Sequence, residues 1–508
     1  MSVINAVAAN GNKSAAHGIT FLHKGKPSRL SLAELDVLAN RVLHRLRAVG
    51  FARGDRIGVV ARNSLEWVLV DLAAIKGGLM TAGFEFGKFK PTPELMTKYR
   101  LKGLYADTDD AGIYNVRPLV KEVVSSHAAG ERDHGAEAPI TYGPNDCTTI
   151  KFTSGSTGEP KGLCATVGSI DSSLAAVQTL FHHEAGDNVL VFLPLSLLQQ
   201  RYWIYSALAY GHDVTVVPFE FALEAAQKVQ PTVIMGVPGF FEGIKKQIER
   251  DAELNAGDLR ARRTLIESLL GSRIRYLWTG SAPASAEMLH FFDDCGIPIY
   301  EGYGMNETCI VSKNFPGHQK IGSVGKVLPN KRVRIDADGV LIVGGEYPVN
   351  TAYLYCTPGE SEKIFLPNGE VRTGDLARID EDGFLHILGR ADDVVVLANG
   401  KNVYARRVEE RIKEHKAVGE CVLYGSGKPY LVAVISPAES SVNRDSIVAH
   451  IETVNATLRP DERVMKAFIA PERFTVAGGL LTSQFKPKRK EIFKTFKQEI
   501  DKLYGATA

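Results

Sequence analysis

What the chain lacks narrows it first. Its six cysteines, at positions 147, 164, 295, 309, 356 and 421, are scattered without a CxxC pair. Neither a zinc ribbon nor a disulfide-stapled secreted fold is therefore expected, and a reducing cytoplasm suits them. Charge of one sign is also missing: 60 Lys and Arg against 58 Asp and Glu leave a formal +2, so no nucleic-acid partner is expected. The strongest apolar run, 189–198, contains Pro194 and is far short of the ~20 residues of a membrane helix, so no membrane span is expected. Residues 1–18 lack a basic stretch followed by an apolar one, which argues against a secretory signal. No fixed-period repeat or low-complexity tract is present, excluding a solenoid or a disordered array. His182 and His183 have no partner at the HExxH spacing, and no transition-metal site is assigned to them.

What remains is a large globular chain. Its 508 residues are roughly three average domains' worth, so at least two domains are expected. Ser31 and Glu34 form an S-x-x-E capping box, and Leu32, Leu35, Leu38, Val42, Leu43 and Leu46 follow at helical spacing until Gly50. Residues 56–60 read as a buried strand, and Asn63 with Glu66 as the opening of another helix. Strand patterns at 188–193, 213–217, 232–237 and 275–278 alternate with helical ones, which predicts an α/β architecture. From about residue 390 the strands shorten: a helix at 408–415, a strand pair within 421–435 and a basic C-terminal helix place a domain boundary there.

The most informative segment is TSGSTGEPKG at 153–162, directly after a strand-like 149–152. Glycines let a backbone approach an anion, N–H groups and hydroxyls donate to its oxygens, and Lys161 adds positive charge, so the segment reads as a phosphate loop. It is not a Walker A loop, because Gly162 rather than Ser or Thr follows the lysine.

This segment resembles the signature of the adenylate-forming superfamily, which comprises acyl-CoA synthetases, luciferases and peptide-synthetase adenylation domains. Further segments agree in the same order: YEGYGMNET at 300–308, RTGD at 372–375, GRADD at 389–393 and NGKNV at 399–403. LTSQFKPKR at 481–489 is similar in style to long-chain acyl-CoA synthetases. The resemblance implies a large N-terminal domain of stacked α/β sheets, 1–389, that binds ATP and the acid. A small mobile α+β domain, 390–508, would follow, hinged at Asp392. It also implies ATP, Mg²⁺ and, as second substrate, CoA. Attack of a carboxylate on the α-phosphorus of ATP needs management of charge by placed cations and donors.

Carried over residue by residue, Thr153, Ser154, Gly155, Ser156, Thr157, Gly158 and Lys161 would hold the β- and γ-phosphates. Glu307 would ligate Mg²⁺, a hard cation that takes carboxylate oxygen. Gly280, Ser281 and Ala282 would line the adenine and Tyr303 would stack on it, with Glu301, Gly302 and Gly304 also at the nucleotide, and the Asn306 amide would serve the phosphate. Asp375, helped by Arg390, would hold the ribose, and Ile387 would belong to the same nucleotide site. Lys486 would serve adenylation alone, and Lys401 with Asn402 would come forward for the second half-reaction. Lys488, Arg489 and Lys490 read instead as the solvated basic start of a helix.

The pattern departs from its relatives at Asn306, usually Thr or Ser, and at Leu197, often His or an aromatic beside the substrate carboxylate. Residues 77–89 also depart, and 105–144 are short. The resemblance implies a medium or long, or bulky apolar, acid, with pocket walls near Trp203, 237–241 and 278–284. An amine or a carrier-protein thiol is the alternative acceptor, an inactive nucleotide or acyl sensor the alternative class, and a luciferase-type oxygenase shares the first step.

Overall fold

The computed structural model describes residues 2–9, 15–23, 25–107, 114–127, 137–153, 160–250, 258–439, 442–481 and 487–505. The strands among them fall into five sheets. One sheet runs in the order Lys326–Val327, Cys309–Lys313, Ile299–Met305, Tyr276–Thr279, Val233–Gly236, Asn188–Val191, Asp213–Val216, Gly18–His23 and Lys26–Ser31. Its middle strands pair in parallel, with helices as crossovers. A second sheet runs Gly103–Ala106, Arg56–Val60, Met80–Phe84, Cys147–Phe152 and Gly162–Thr166. The stacked α/β expectation is met.

The four strands read at 188–193, 213–217, 232–237 and 275–278 form, each trimmed or shifted by one or two residues. The capping box forms as well: Ser31 Oγ accepts from the Glu34 amide at 3.2 Å, and Glu34 accepts from the Ser31 amide at 2.8 Å. The helix Leu32–Ala48 then buries all six of the leucines and valines spaced along it. The next helix corrects the sequence reading, because Leu65–Gly77 is capped by Ser64, whose hydroxyl accepts from Trp67, and not by Asn63. Asn63 is buried and spends its amide elsewhere. It donates to Leu193 O and Val217 O at 2.9 and 3.0 Å and accepts from Leu195 N at 2.9 Å. A side chain with both donors and acceptors can serve several orphaned backbone groups, whereas one hydroxyl is enough for a cap.

Helices Leu65–Gly77 and Leu198–Tyr210 are buried on nearly every side, and their core draws residues from both sheets. That is how an all-round apolar helix is accommodated, between layers. Within this core Arg201 pairs with Asp71 at 2.7 Å and donates to Thr81 and Thr149 hydroxyls at 3.1 and 2.9 Å. Tyr205 donates to the other Asp71 oxygen at 2.5 Å. The buried ion pair is tolerable because both Asp71 oxygens and both terminal guanidinium nitrogens find partners, and Arg201 Nε alone of this network has none among the described residues. The network locks the strand Cys147–Phe152, which leads into the phosphate segment, against the helical layer.

A four-stranded antiparallel sheet follows, Lys331–Ile335, Val340–Gly345, Val371–Ile379 and Leu385–Arg390. Beyond it lie the hairpin Val394–Val396 with Asn402–Tyr404 and a three-stranded sheet of Val418–Tyr424, Leu431–Pro437 and Val464–Ile469. Two cores of their own serve these residues. One sits under helices Ala405–Lys413 and Arg444–Ala456, the other under Arg489–Thr495 and Lys497–Leu503. Among the described residues no helix is long and apolar enough to cross a membrane.

Candidate active site

A cleft with about 560 Å³ of empty space, part of it open solvent, lies at the carboxyl ends of Val233–Gly236 and Tyr276–Thr279, where parallel α/β sheets bind ligands. Leu193, Gln199, Gln200, Trp203, Met235, Gly236, Val237, Trp278, Thr279, Gly280, Ser281, Gly302, Tyr303, Gly304, Ile310 and Lys313 line it. Gly280, Ser281, Gly302, Tyr303 and Gly304, expected at the nucleotide, thus share one wall with Trp203, Val237 and Trp278, expected at the acid. Ser281 holds φ of +68°, a left-handed turn between strand and helix, and Ala282 follows it. Leu197 caps the helix Leu198–Tyr210 with no side-chain bond, and Leu193, Gln199 and Gln200 nearby line the cavity.

Two charged side chains are buried at this wall. Glu301 accepts from Ala284 N at 3.0 Å, which holds the loop bearing Gly280, Ser281 and Ala282. Burial pushes its carboxyl up to about 7, against the pull of the Ala284 amide and the Lys313 charge. Lys313 lies directly opposite Gly302 in the neighbouring strand. Its ammonium donates to Thr279 O at 2.9 Å and sits 3.9 Å from the centre of the Trp278 ring. Burial drives its pKa well below the usual lysine value, partly opposed by Glu301. Sequence reasoning missed Lys313, since a lone lysine in a strand looks like a solvated face.

At the cavity's edge Tyr303 donates to Asp375 Oδ2 at 2.5 Å, and Arg390 reaches Asp375 Oδ1 at 3.2 Å. Asp375 and Arg390 are cross-strand partners. Gly374, at φ +74°, leaves room for the guanidinium, since a Cβ there would stand 2.8 Å from Arg390 Nη2. Arg390 also donates to Asp392 at 3.0 Å, so one guanidinium touches both the expected ribose acceptor and the expected hinge. Ile387 packs into the small core that Tyr303 also joins.

The phosphate side is assembled around Tyr353, a residue sequence reasoning missed. Glu307 is buried in the tight turn between Ile299–Met305 and Cys309–Lys313, not on a solvated helix, and accepts from the Tyr353 hydroxyl at 2.7 Å. Burial and the Glu307 charge raise the Tyr353 pKa. Lys161 lies 4.9 Å from the same ring and pairs with Glu360 at 3.1 Å. Asn306 donates to Phe152 O at 3.4 Å, and Thr153 donates its amide to Lys161 O at 3.0 Å. The ends of the phosphate segment are thereby tied to the turn that carries Glu307. A buried carboxylate with oxygen capacity beyond Tyr353 is a fitting ligand for Mg²⁺. Ser154, Gly155, Ser156, Thr157, Gly158 and Lys486 lie outside the described residues.

Lys401 sits in the exposed turn of its hairpin, its amide donating to Asn399 Oδ1 at 3.0 Å, away from the cavity lining. Arg489 corrects the expectation of a solvated basic helix start. It pairs with the buried Glu409 and with Asp393 at 3.2 Å, and its carbonyl accepts from Tyr424 at 2.8 Å. The segment after Lys486 is therefore pinned beside Asp392.

The AMP-binding enzyme family matches residues 5–86 and 96–347, and the AMP-binding enzyme C-terminal domain matches 392–508. The chain belongs to this family, and hence to the adenylate-forming superfamily. Among its relatives, a long-chain-fatty-acid–CoA ligase, FadD15, of Mycobacterium bovis is 29% identical, over 91% of this chain and 90% of that protein. A 2-succinylbenzoate–CoA ligase of Bacillus cereus is 26% identical, over 78% of this chain and 80% of that protein. In fold, the chain superposes on ATP-bound MatB from Rhodopseudomonas palustris with a TM-score of 0.79 at 22% identity, covering 98% of this chain and 99% of that one.

Proposed function

We propose that this chain is an AMP-forming acid–thiol ligase, which converts a carboxylic acid and ATP to acyl-AMP and pyrophosphate and then passes the acyl group to CoA. The observation that carries the reading is how the motif segments meet: the Gly280 loop and the Gly302 strand line one cleft, Tyr303 at its edge holds the Asp375–Arg390 pair, and the turn that carries Glu307 meets the start of the phosphate segment. The fatty-acid–CoA and 2-succinylbenzoate–CoA ligases among the relatives support CoA as acceptor.

In this reading Lys161 exchanges Glu360 for the phosphates, at little cost because that ion pair is partly exposed. Tyr353 holds the Glu307 carboxylate in place by its hydroxyl, and Mg²⁺ bound by Glu307 would neutralise charge on the phosphate oxygens. Asp375, an acceptor-only group held by Arg390 and Tyr303, receives the ribose hydroxyls. Glu301 positions the adenine loop through Ala284. Residues 1–389 form the acid- and ATP-binding unit and 390–508 a unit that turns about Asp392, 75% exposed at its side chain, to bring Lys486 and then Lys401 to the cleft. The six free thiols suit a cytoplasmic location.

The test is to incubate the purified chain with ATP, Mg²⁺ and a panel of carboxylic acids, with CoA, with amines, with a carrier protein or with none, and to read products by mass spectrometry. Acyl-AMP in every arm and acyl-CoA only with CoA is the expected result. An acyl-amide or an acylated carrier would reassign the acceptor, and the absence of any AMP-linked product would overturn the proposal.

A further inference from the structure

The inner wall of the cleft is not the apolar pocket expected for a plain hydrocarbon acid. Lys313 lines it while fully buried. Its described hydrogen bond is to a backbone carbonyl, Thr279 O, and no carboxylate among the described residues forms an ion pair with it. Glu301 acts on it only through space. Because a buried charge without a paired counter-ion is costly, burial disfavours the charged form of this lysine, and an anion placed beside it would favour the ammonium with its three donors. The chain has nevertheless made room for it. Opposite Lys313 stands Gly302, where a Cβ would lie 2.4 Å from Lys313 Cδ and 3.0 Å from Nζ.

Two neighbouring groups are left waiting in the same wall. Trp203 Nε1 and Thr279 Oγ1 are buried without a hydrogen-bond partner, on residues 2% and 1% exposed that both line the cavity. Orphaned buried donors are rare in folded proteins, and a ligand is one of the few things that satisfies them. Trp203 and Trp278 pack with ring centres 5.2 Å apart, and Lys313 lies over the latter. Ammonium and indole N–H can only donate, so their shared complement is an acceptor. The phosphate-side residues Thr153, Lys161 and Glu307 are not among the residues that line this cavity, which sets the three donors apart from the described part of the phosphate side.

We infer that the acid accepted here carries a second carboxylate, remote from the one that is activated, and that Lys313, Trp203 and Thr279 receive it. The inference rests on the cleft being the acid pocket of the proposed ligase. The distal carboxylate takes N–H donations from Lys313 and Trp203 and the hydroxyl proton of Thr279. It gives the lysine a directly paired counter-charge, where Glu301 acts only through space, and so favours its ammonium form.

The experiment compares straight-chain monocarboxylic acids with their α,ω-dicarboxylic counterparts, from butyrate and succinate to dodecanoate and dodecanedioate. Two readouts are used: acid-dependent ATP–pyrophosphate exchange, and the thermal shift produced by each free acid without ATP. The wild-type chain is expected to favour at least one diacid over the matching monoacid by about tenfold or more in kcat/KM, the scale of one charge-assisted hydrogen bond. Lys313→Met, close to lysine in length and apolar, should abolish that preference and the diacid's thermal shift, lowering exchange with the diacid about tenfold more than exchange with the monoacid. Lys313→Gln, which keeps a donor, should retain part of the preference. A wild-type preference for monoacids overturns the inference. So does an equal loss for both acids in Lys313→Met, which would assign the lysine to the nucleotide or the reacting carboxylate. Lys313-dependent thermal shifts by diacids without any exchange would uphold the pocket and overturn the ligase reading. Neither shift nor exchange overturns both.

Discussion

Glu301 is the residue whose ionisation is most open to measurement. Its folded pKa is raised to about 7 from an ordinary value of 4.5. As pH rises through that window the unfolded chain has released this proton and the folded chain still holds it, so stability falls, and it levels off above about 7. At about 1.4 kcal/mol per pKa unit the loss amounts to roughly 3 kcal/mol. Glu301→Gln should flatten this segment of the stability–pH curve, read from denaturant midpoints. A second residue-scale expectation concerns Tyr353, whose hydroxyl holds Glu307 while its ring lies under Lys161. Tyr353→Phe keeps the ring and loses the hydrogen bond. Pyrophosphate exchange should fall by about ten- to a hundredfold, the usual scale for a partner of a metal ligand, and rising Mg²⁺ should recover part of it. Neither effect could be foreseen from Tyr353 itself, an ordinary tyrosine far along the chain from Glu307, joined to it only by folding.

Among the elements, the helix Arg489–Thr495 is held by Ile492 in the core beneath it and by the ion pairs of Arg489. Arg489 neutralises Glu409, whose carboxyl burial pushes upward, and also reaches Asp393. Arg489→Ala would strand Glu409 in the core, at a cost of about 3–5 kcal/mol. Hydrogen exchange should report that loss in residues 394–505 and leave the protection of Leu65–Gly77 unchanged; uniform loss along the chain would contradict it. The strands Ile299–Met305 and Cys309–Lys313 make the complementary point. Their motif letters were legible, but the tight turn that buries Glu307 was not, because the acidic, polar run around 306–308 reads locally like the surface of a helix. What turns it inward is pairing with a neighbouring strand and the hydroxyl of Tyr353.

On the scale of the whole molecule, the proposed two-unit cycle predicts a separation of half-reactions. Lys486→Ala should abolish acyl-AMP formation, by about a thousandfold or more if it stabilises the transition state as a placed cation does, while thioester formation from supplied acyl-AMP survives. Asp392→Pro, which fixes φ at the proposed hinge, should instead impair one half-reaction more than the other in the same two assays; equal losses in both would sink the hinge. The alternating α/β character, the capped helix at Ser31 and the order of the motif segments were all determined by the sequence alone. They depend on local periodicity, on side chains that hydrogen-bond within a turn, and on glycine and hydroxyl runs whose chemistry is carried by the residues themselves. Only the tertiary structure decided that Asn63 braces strands rather than caps a helix, that Arg489 is buried, and that Lys313, Trp203 and Thr279 face one cavity. Those outcomes depend on which backbone groups and charges distant segments leave unsatisfied where they meet, and no stretch of sequence contains that information by itself.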